Sequence, residues 1–327
     1  MKAWRVNELG EPSEVLTLEE VETPAPGPGT VLVKVLAAPA NFPDVLLCRG
    51  EYQNKPPLPF TPGVELCGEV VELGEGVSHL AVGDRIIGNP ALPMGSFAEH
   101  TVVDARGAFP APESLDDAEA SALMIGYQTA WFALHRRTQV AEGDVLLVHA
   151  AAGGVGSAAV QLGKAAGATV IGVVGGPQKA DYARHLGADV VVDRHTEDFV
   201  QVVKEATGGK GADIVFDPVG GDAYTGSTKC IAFEGRIVVV GFAGGTIPQP
   251  ALNHALVKNY SIVGLHWGLY ATKNPAVIVE CHRDLVRLAA EGKVRPLVSE
   301  RLSMDQLADG VVRLGRGETV GRVVVVP

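Results

Sequence analysis

The segment DVLLVHAAAGGVGSAAVQLGKAAG, residues 144–167, decides how the rest of the chain is read. It opens on a continuous apolar run, Asp144 to Ala150, of the kind that fills a strand covered on both faces. A glycine-rich turn follows, and Val155 to Ala166 then reads as a helix. Against the Gly-x-Gly-x-x-Gly fingerprint, the key positions are Ala151, Gly153 and Gly156. Gly153 admits a pyrophosphate close to the backbone, and Gly156 lets the helix sit tight on the strand. The helix N-terminus offers free N–H groups and a positive dipole to phosphate. The expected pyrophosphate contacts are therefore Ala152, Gly153, Gly154, Val155 and Gly156. The uncharged run from Val145 to Gly163 approaches the roughly 20 residues of a membrane span. His149, the glycine turn, Ser157 and Gln161 break it, so strand, turn and helix account for it better.

Downstream, strand-like and helix-like segments alternate. Strands are expected at 168–174, 188–193, 212–217, 236–242 and 260–265. Helices are expected at 178–187, at 196–207 with Thr196 as N-cap, and within 222–233. Six apolar strands with helical crossovers predict an α/β domain with a doubly wound parallel sheet of Rossmann type. Upstream the texture is β-rich: TVLVKVLAA (30–38), CGEVVEL (67–73) and DRIIGNP (84–90) lie among dense turns such as PAPGPG (24–29) and PPLPFTPG (56–63). The tail carries a helix at 275–291, a strand near Val298, a helix at 304–314 and a terminal GRVVVVP (321–327) suited to pair with the first domain. The expected division is 1–122, 123–265 and a returning segment 266–327.

Composition narrows the function classes. At roughly 100–200 residues per domain, 327 residues make two domains. A net charge of −11 repels phosphate backbones and argues against nucleic acid as a partner. The N-terminus has no apolar stretch of signal-peptide length, and no membrane association is expected. Cys48, Cys67, Cys230 and Cys281 show no metal-ligand spacing, so buried free thiols and a cytoplasmic location are expected.

The cofactor's flavour is also legible. An NAD site places Asp or Glu about 20 residues past the glycine turn, on the ribose 2′-hydroxyl. The corresponding stretch here is Val174-Gly175-Gly176-Pro177, with no acid. Gly175 leaves room for a 2′-phosphate, and Lys179 and Arg194 are candidate partners for it. NADPH is the expected cofactor. His149, at a strand end, reads as a packed, hydrogen-bonded imidazole.

Several segments together carry a family resemblance: ANFPDVLLCRGEY (40–52), PFTPGVELCGEV (59–70), VGDRI (82–86), GSFAEH (95–100), the glycine turn at 146–156 and GADIVFDPVGGD (211–222). Over essentially its whole length the chain resembles the quinone oxidoreductase (zeta-crystallin-like) branch of the medium-chain dehydrogenase/reductase superfamily. The resemblance implies a GroES-like catalytic domain completed by the C-terminal tail, with a Rossmann domain inserted. It implies that Asn41 and Tyr52 line the substrate side of the nicotinamide. There Asn41 would hydrogen-bond the acceptor oxygen and touch the cofactor, and Tyr52 would do likewise or relay a proton. Thr129, Phe242 and Trp267 match cofactor-flanking positions, and Arg194 stands where relatives often carry a tyrosine near the adenine.

Zinc-dependent relatives carry a Cys where this chain has Asn41 and a His where it has Val64. Neither side chain here supplies the thiolate or imidazole that zinc favours, and the stretch between Gly88 and Gly95 is too short for the four-cysteine lobe. No metal is therefore expected. Without a Lewis acid, electron-poor acceptors are favoured, and the leading expectation is NADPH-dependent reduction of a quinone. NADPH-dependent reduction of an enone or enoyl thioester is the alternative, and an NADPH-binding protein with little catalysis is a third. The apolar sixth strand, 260–265, would be an exposed edge, and a homodimer is expected to cover it.

Overall fold

The computed structural model describes all residues, Met1–Pro327. They form two compact units, Met1–Ile125 with Arg295–Pro327, and Gly126–Val294.

The first unit contains β1 (Lys2–Val6), β2 (Leu16–Glu20), β3 (Thr30–Pro39), β4 (Leu66–Leu73), β5 (Arg85–Gly88), β6 (His100–Asp104) and β7 (Phe109–Pro110). The tail adds β14 (Val298–Leu302) and β15 (Arg322–Val325). The seven-stranded sheet runs β14-β15-β3-β4-β5-β7, with β6 also on β3; β1 and β2 pair separately. β3 is the hub, because its β-branched residues Val31, Val33 and Val35 are buried among Phe60, Phe97, Leu66 and Ile86. Val323, Val324 and Val325 of the tail are fully buried, and β15 lies antiparallel to β3 at Pro39 and Ala38. The helix Phe42–Arg49 starts at Asn41, with Pro43 and Asp44 in its first turn, and stops at Gly50 in the left-handed conformation.

The second unit is built on β8 (Val145–His149), β9 (Thr169–Val174), β10 (Val190–Asp193), β11 (Ala212–Asp217), β12 (Ile231–Val239) and β13 (Ser261–Gly264). All neighbours are parallel, in the order β10-β9-β8-β11-β12-β13. This is the Rossmann order, and it reverses between β8 and β11, the point where such sheets bind nucleotides. Central strands are apolar throughout: Leu146, Leu147, Val148, Ile214, Val215 and Phe216 are fully buried.

Some boundaries differ from the sequence reading. The helix expected at 196–207 begins at Phe199, because Thr196 is held in a turn by its N–H bond to the Asp193 carbonyl, and Asp198 caps Val200 N instead. The fifth strand starts earlier and ends earlier, at 231–239, with Glu234 at positive φ marking an irregularity. The second unit runs on to Val294 rather than stopping near 265. Its Pro275–Ala290 helix is anchored there, where Trp131 Nε1 donates to Asp284 Oδ2 at 2.8 Å. No helix is long and apolar enough to cross a membrane.

Candidate active site

The glycine turn after β8 leads straight into a helix. The twelve-residue helix Gly154–Ala165 starts at Gly153, and no side chain caps it. Its first N–H groups are thus left for a ligand. A Cβ on Gly156 would lie 2.1 Å from the Ala150 carbonyl oxygen, so only glycine allows this closeness of helix and strand. Gly153 would meet the same oxygen at 3.2 Å. Ala151 and Ala152 are buried beside them, with Ala151 N bonded to Val173 O at 3.0 Å.

A positive corner lies at the end of β9. A Cβ on Gly175 would meet Arg194 Nε and Nη2, each at 3.1 Å, so the guanidinium packs into the notch that glycine leaves. Burial and the Arg194 charge both pull the Lys179 ammonium below its ordinary pKa, which places the two cations side by side. Two like charges held this close repel each other, and a bound phosphate would relieve that cost. Asp193, which the sequence reading did not single out, is spent on the loop: its Oδ1 accepts from Gly176 N at 2.9 Å and His195 N at 3.0 Å. These bonds hold its carboxyl below the usual range.

Thr129 is nearly buried within Gln128–Trp131, and its neighbour Gln128 accepts from Trp267 Nε1 at 3.0 Å. Phe242, past β12, remains about one-third exposed at 37%. His149 is packed: its Nε2 lies 2.8 Å from Ser227 Oγ, its ring meets Phe199 edge-on, and burial lowers its pKa to about 4.

In the first unit, Asn41 sits in a buried polar cluster. Its Nδ2 donates to Pro39 O at 3.1 Å and to Glu65 Oε1 at 3.0 Å, which spends both amide hydrogens. Arg322 Nη2, from β15, donates to Asn41 Oδ1 at 2.8 Å and makes a very short contact to Glu65 Oε1. Glu65 Oε2 accepts from Ile125 N at 2.7 Å. That N–H is thereby drawn to the carboxylate, and the backbone over Leu123–Tyr127 is a π turn. Asp44 accepts from Asn41 N at 2.8 Å and Gly63 N at 2.9 Å. Burial drives the Asp44 carboxyl up to about 7 against those bonds, and raises Glu65 against the pull of Arg322. Tyr52 packs against the same core, its phenol raised by burial and by the Asp44 charge.

Comparison with known proteins agrees with this geometry. Residues 27–113 match the alcohol dehydrogenase GroES-like domain, and residues 154–281 match the family described as zinc-binding dehydrogenase. The quinone oxidoreductase-like protein 2 homolog of Nematostella vectensis is 37% identical over 99% of this chain and 88% of its own. The chain belongs to the quinone oxidoreductase-like branch of the medium-chain dehydrogenase/reductase superfamily. The solved quinone oxidoreductase of Escherichia coli, complexed with NADPH, superimposes with a TM-score of 0.92 at 30% identity, covering 100% of both chains. A mycocerosic acid synthase-like polyketide synthase of Mycobacterium tuberculosis is 32% identical over 97% of this chain, which spans only 15% of that protein.

Zinc does not fit the residues present. The Asn41 amide is fully engaged as a donor, Val64 is apolar, Glu65 is locked to Arg322, and no group of three or more His, Cys, Asp or Glu could hold a metal ion. The dinucleotide does fit, at the cradle a Cβ would fill and the cation pair at Gly175. Glu65, Arg322 and Asp44 were missed by the sequence reading. Glu65 follows Val64 with no local signal of its role, and Arg322 lies 281 residues from Asn41, a separation no local pattern reports.

Proposed function

We propose that this oxidoreductase is an NADPH-dependent quinone reductase that works without zinc. The observation that carries the reading is the donor set of the first unit: an amide with no hydrogen left, an apolar Val64, and the Tyr52 phenol. Such a site orients an acceptor and offers it one hydrogen bond, but no Lewis acid. Bound NADPH would supply the hydride, two electrons with one proton, and reduction of a quinone to a hydroquinone needs one further proton. Ala152, Gly153, Gly154, Val155 and Gly156 would hold the pyrophosphate. Gly175, Lys179 and Arg194 would hold the 2′-phosphate, and Thr129, Phe242 and Trp267 would flank the nicotinamide. Tyr52 donates to the acceptor oxygen, and its proton is replaced from solvent. Asn41, its donors spent, acts by position. Four buried free thiols support a cytoplasmic setting, and the exposed β13 edge supports a homodimer.

The second reading is reduction of an activated C=C bond in an enone or enoyl thioester. Likeness to a polyketide synthase segment favours it, and so does a pocket of about 320 Å³ lined by Leu265, Leu269 and Tyr270 with Arg137, His266 and Lys273. Arg137 and Lys273 suit a phosphate-bearing thioester. The deciding experiment follows NADPH and NADH oxidation with an ortho-quinone, a para-quinone, an enone and an enoyl-CoA. Quinone turnover with NADPH supports the first reading. Turnover confined to the enone or thioester replaces it with the second, and tight NADPH binding with no turnover on any acceptor overturns both.

A further inference from the structure

The buried cluster of the first unit is more elaborate than a sheet needs. Two carboxylates and one guanidinium are taken from water there, which costs more than an apolar filling of the same volume unless geometry requires it. Arg322 Nε has no partner at all, so the side chain is held for what Nη2 does. That nitrogen grips the Asn41 amide and the Glu65 carboxylate together.

Each gripped group starts something. Asn41 opens the Phe42–Arg49 helix, whose end carries Tyr52: Glu51 N and Tyr52 N both donate to Leu46 O, at 2.9 and 3.3 Å. Glu65 holds Ile125 N in the π turn that leads directly into Gln128 and Thr129. One ion pair thus governs the start of the element bearing the proposed acceptor donor and the start of the one bearing a proposed nicotinamide contact.

We propose that Glu65 and Arg322 are positioning residues for the acceptor side of the reaction, acting through Asn41 and its helix to fix the Tyr52 hydroxyl. The inference deepens the quinone-reductase reading and rests on it. Neither residue touches substrate. Together they make the phenol's place rigid before an acceptor arrives.

The test compares wild type with E65Q/R322M, R322K and Y52F. Removing Arg322 alone would leave a buried, unpaired carboxylate, so the double variant removes both charges. Single-turnover NADPH oxidation by an ortho-quinone is expected to slow on the order of 100-fold in E65Q/R322M, the scale of a misplaced reacting group. NADPH affinity, carried chiefly by the proposed phosphate contacts at the glycine turn and at Gly175, is expected to hold. Adding Y52F to the double variant is expected to cost nothing more, since the phenol is already misplaced. Amide hydrogen exchange over 42–52 is expected to speed up while β4 stays protected. R322K, which keeps a cation beside Glu65, is expected to recover part of the rate, and it carries the comparison should the double variant fail to fold. Wild-type turnover in the double variant, or a Y52F effect that simply adds, overturns the proposal. If wild type turns over none of the acceptors with NADPH, the reductase reading fails, and the exchange measurement decides alone: unchanged exchange over 42–52 then overturns the clamp.

Discussion

At the scale of single residues, two neighbouring cations give the sharpest test of the cofactor's flavour. Arg194 and Lys179 stand together at Gly175, and the Asp193 carboxylate accepts from Gly176 N and His195 N beside them. If both hold the 2′-phosphate as proposed, replacing either by Gln removes a charge-assisted bond of about 1.5–3 kcal/mol. NADPH affinity should fall roughly 10- to 100-fold, while NADH affinity, which involves no 2′-phosphate, should hold. Fluorescence titration with both cofactors checks this; equal losses for the two would mean that the cations act elsewhere. His149 gives a second expectation, on stability. Its folded pKa of about 4 lies below the ordinary value because burial disfavours the imidazolium. Between about pH 6.5 and 4 the unfolded chain binds a proton that the folded chain refuses, so stability falls as pH falls through that window, by up to about 3 kcal/mol. H149Q keeps a hydrogen-bonding side chain beside Ser227 and should flatten that acid limb in urea melts. An unchanged limb would assign the acid sensitivity to other groups.

Elements were legible where their signal is local. β8, its glycine turn and the following helix fall within a residue of the reading from sequence, because strand apolarity, close helix packing and an uncapped helix start are all encoded in adjacent residues. β11 matches the expected 212–217 for the same reason. Signals that depend on tertiary competition were lost. Thr196 has the chemistry of an N-cap, but the Asp193 turn claims it and Asp198 takes the role. The π turn at 123–127 has no signature in its own residues, and the carboxylate that takes up Ile125 N, Glu65, comes from 60 residues away. The candidate site divides in the same way: the glycine loop could be read, whereas the Asn41–Glu65–Arg322 cluster is created by folding. β15 shows how much a short element can carry. Its four residues are buried, it completes the sheet against β3, and it delivers Arg322. Burying three valines contributes several kcal/mol at about 1.5–3 each. A chain ending at Gly321 should therefore melt at least 10 °C lower, or fail to accumulate, on the usual scale of about 2–4 °C per kcal/mol for a large domain. Differential scanning calorimetry of the truncated chain decides; an unshifted melt would show that the sheet closes without its last strand.

At the scale of the whole molecule, surface charge and surface apolarity pull in different directions. A net charge of −11 keeps copies apart at long range, although salt screens that repulsion beyond about 10 Å. One region resists it. Leu252, Leu256 and Val257, on the helix Leu252–Lys258, are 72%, 78% and 74% exposed, and Ile247 just before it is 67% exposed. That helix feeds β13, the sheet's terminal strand, which pairs only with β12 and leaves its other edge open. Exposed apolar side chains and an unpaired strand edge are both features that a partner surface covers. A second copy related by a two-fold axis would satisfy both needs at once, with the two β13 edges running antiparallel and each apolar helix covered. Burying four such side chains on each copy contributes about 1.5–3 kcal/mol apiece before the cost of association is subtracted. Sedimentation equilibrium at micromolar concentration should therefore return twice the chain mass of 34.1 kDa for wild type. L252D/L256D places a charge on each copy where apolar contact is expected and should return the single mass, with the NADPH site intact. A monomeric wild type would refute the two-fold pairing. A dimer that survives both aspartates would place the interface on another face.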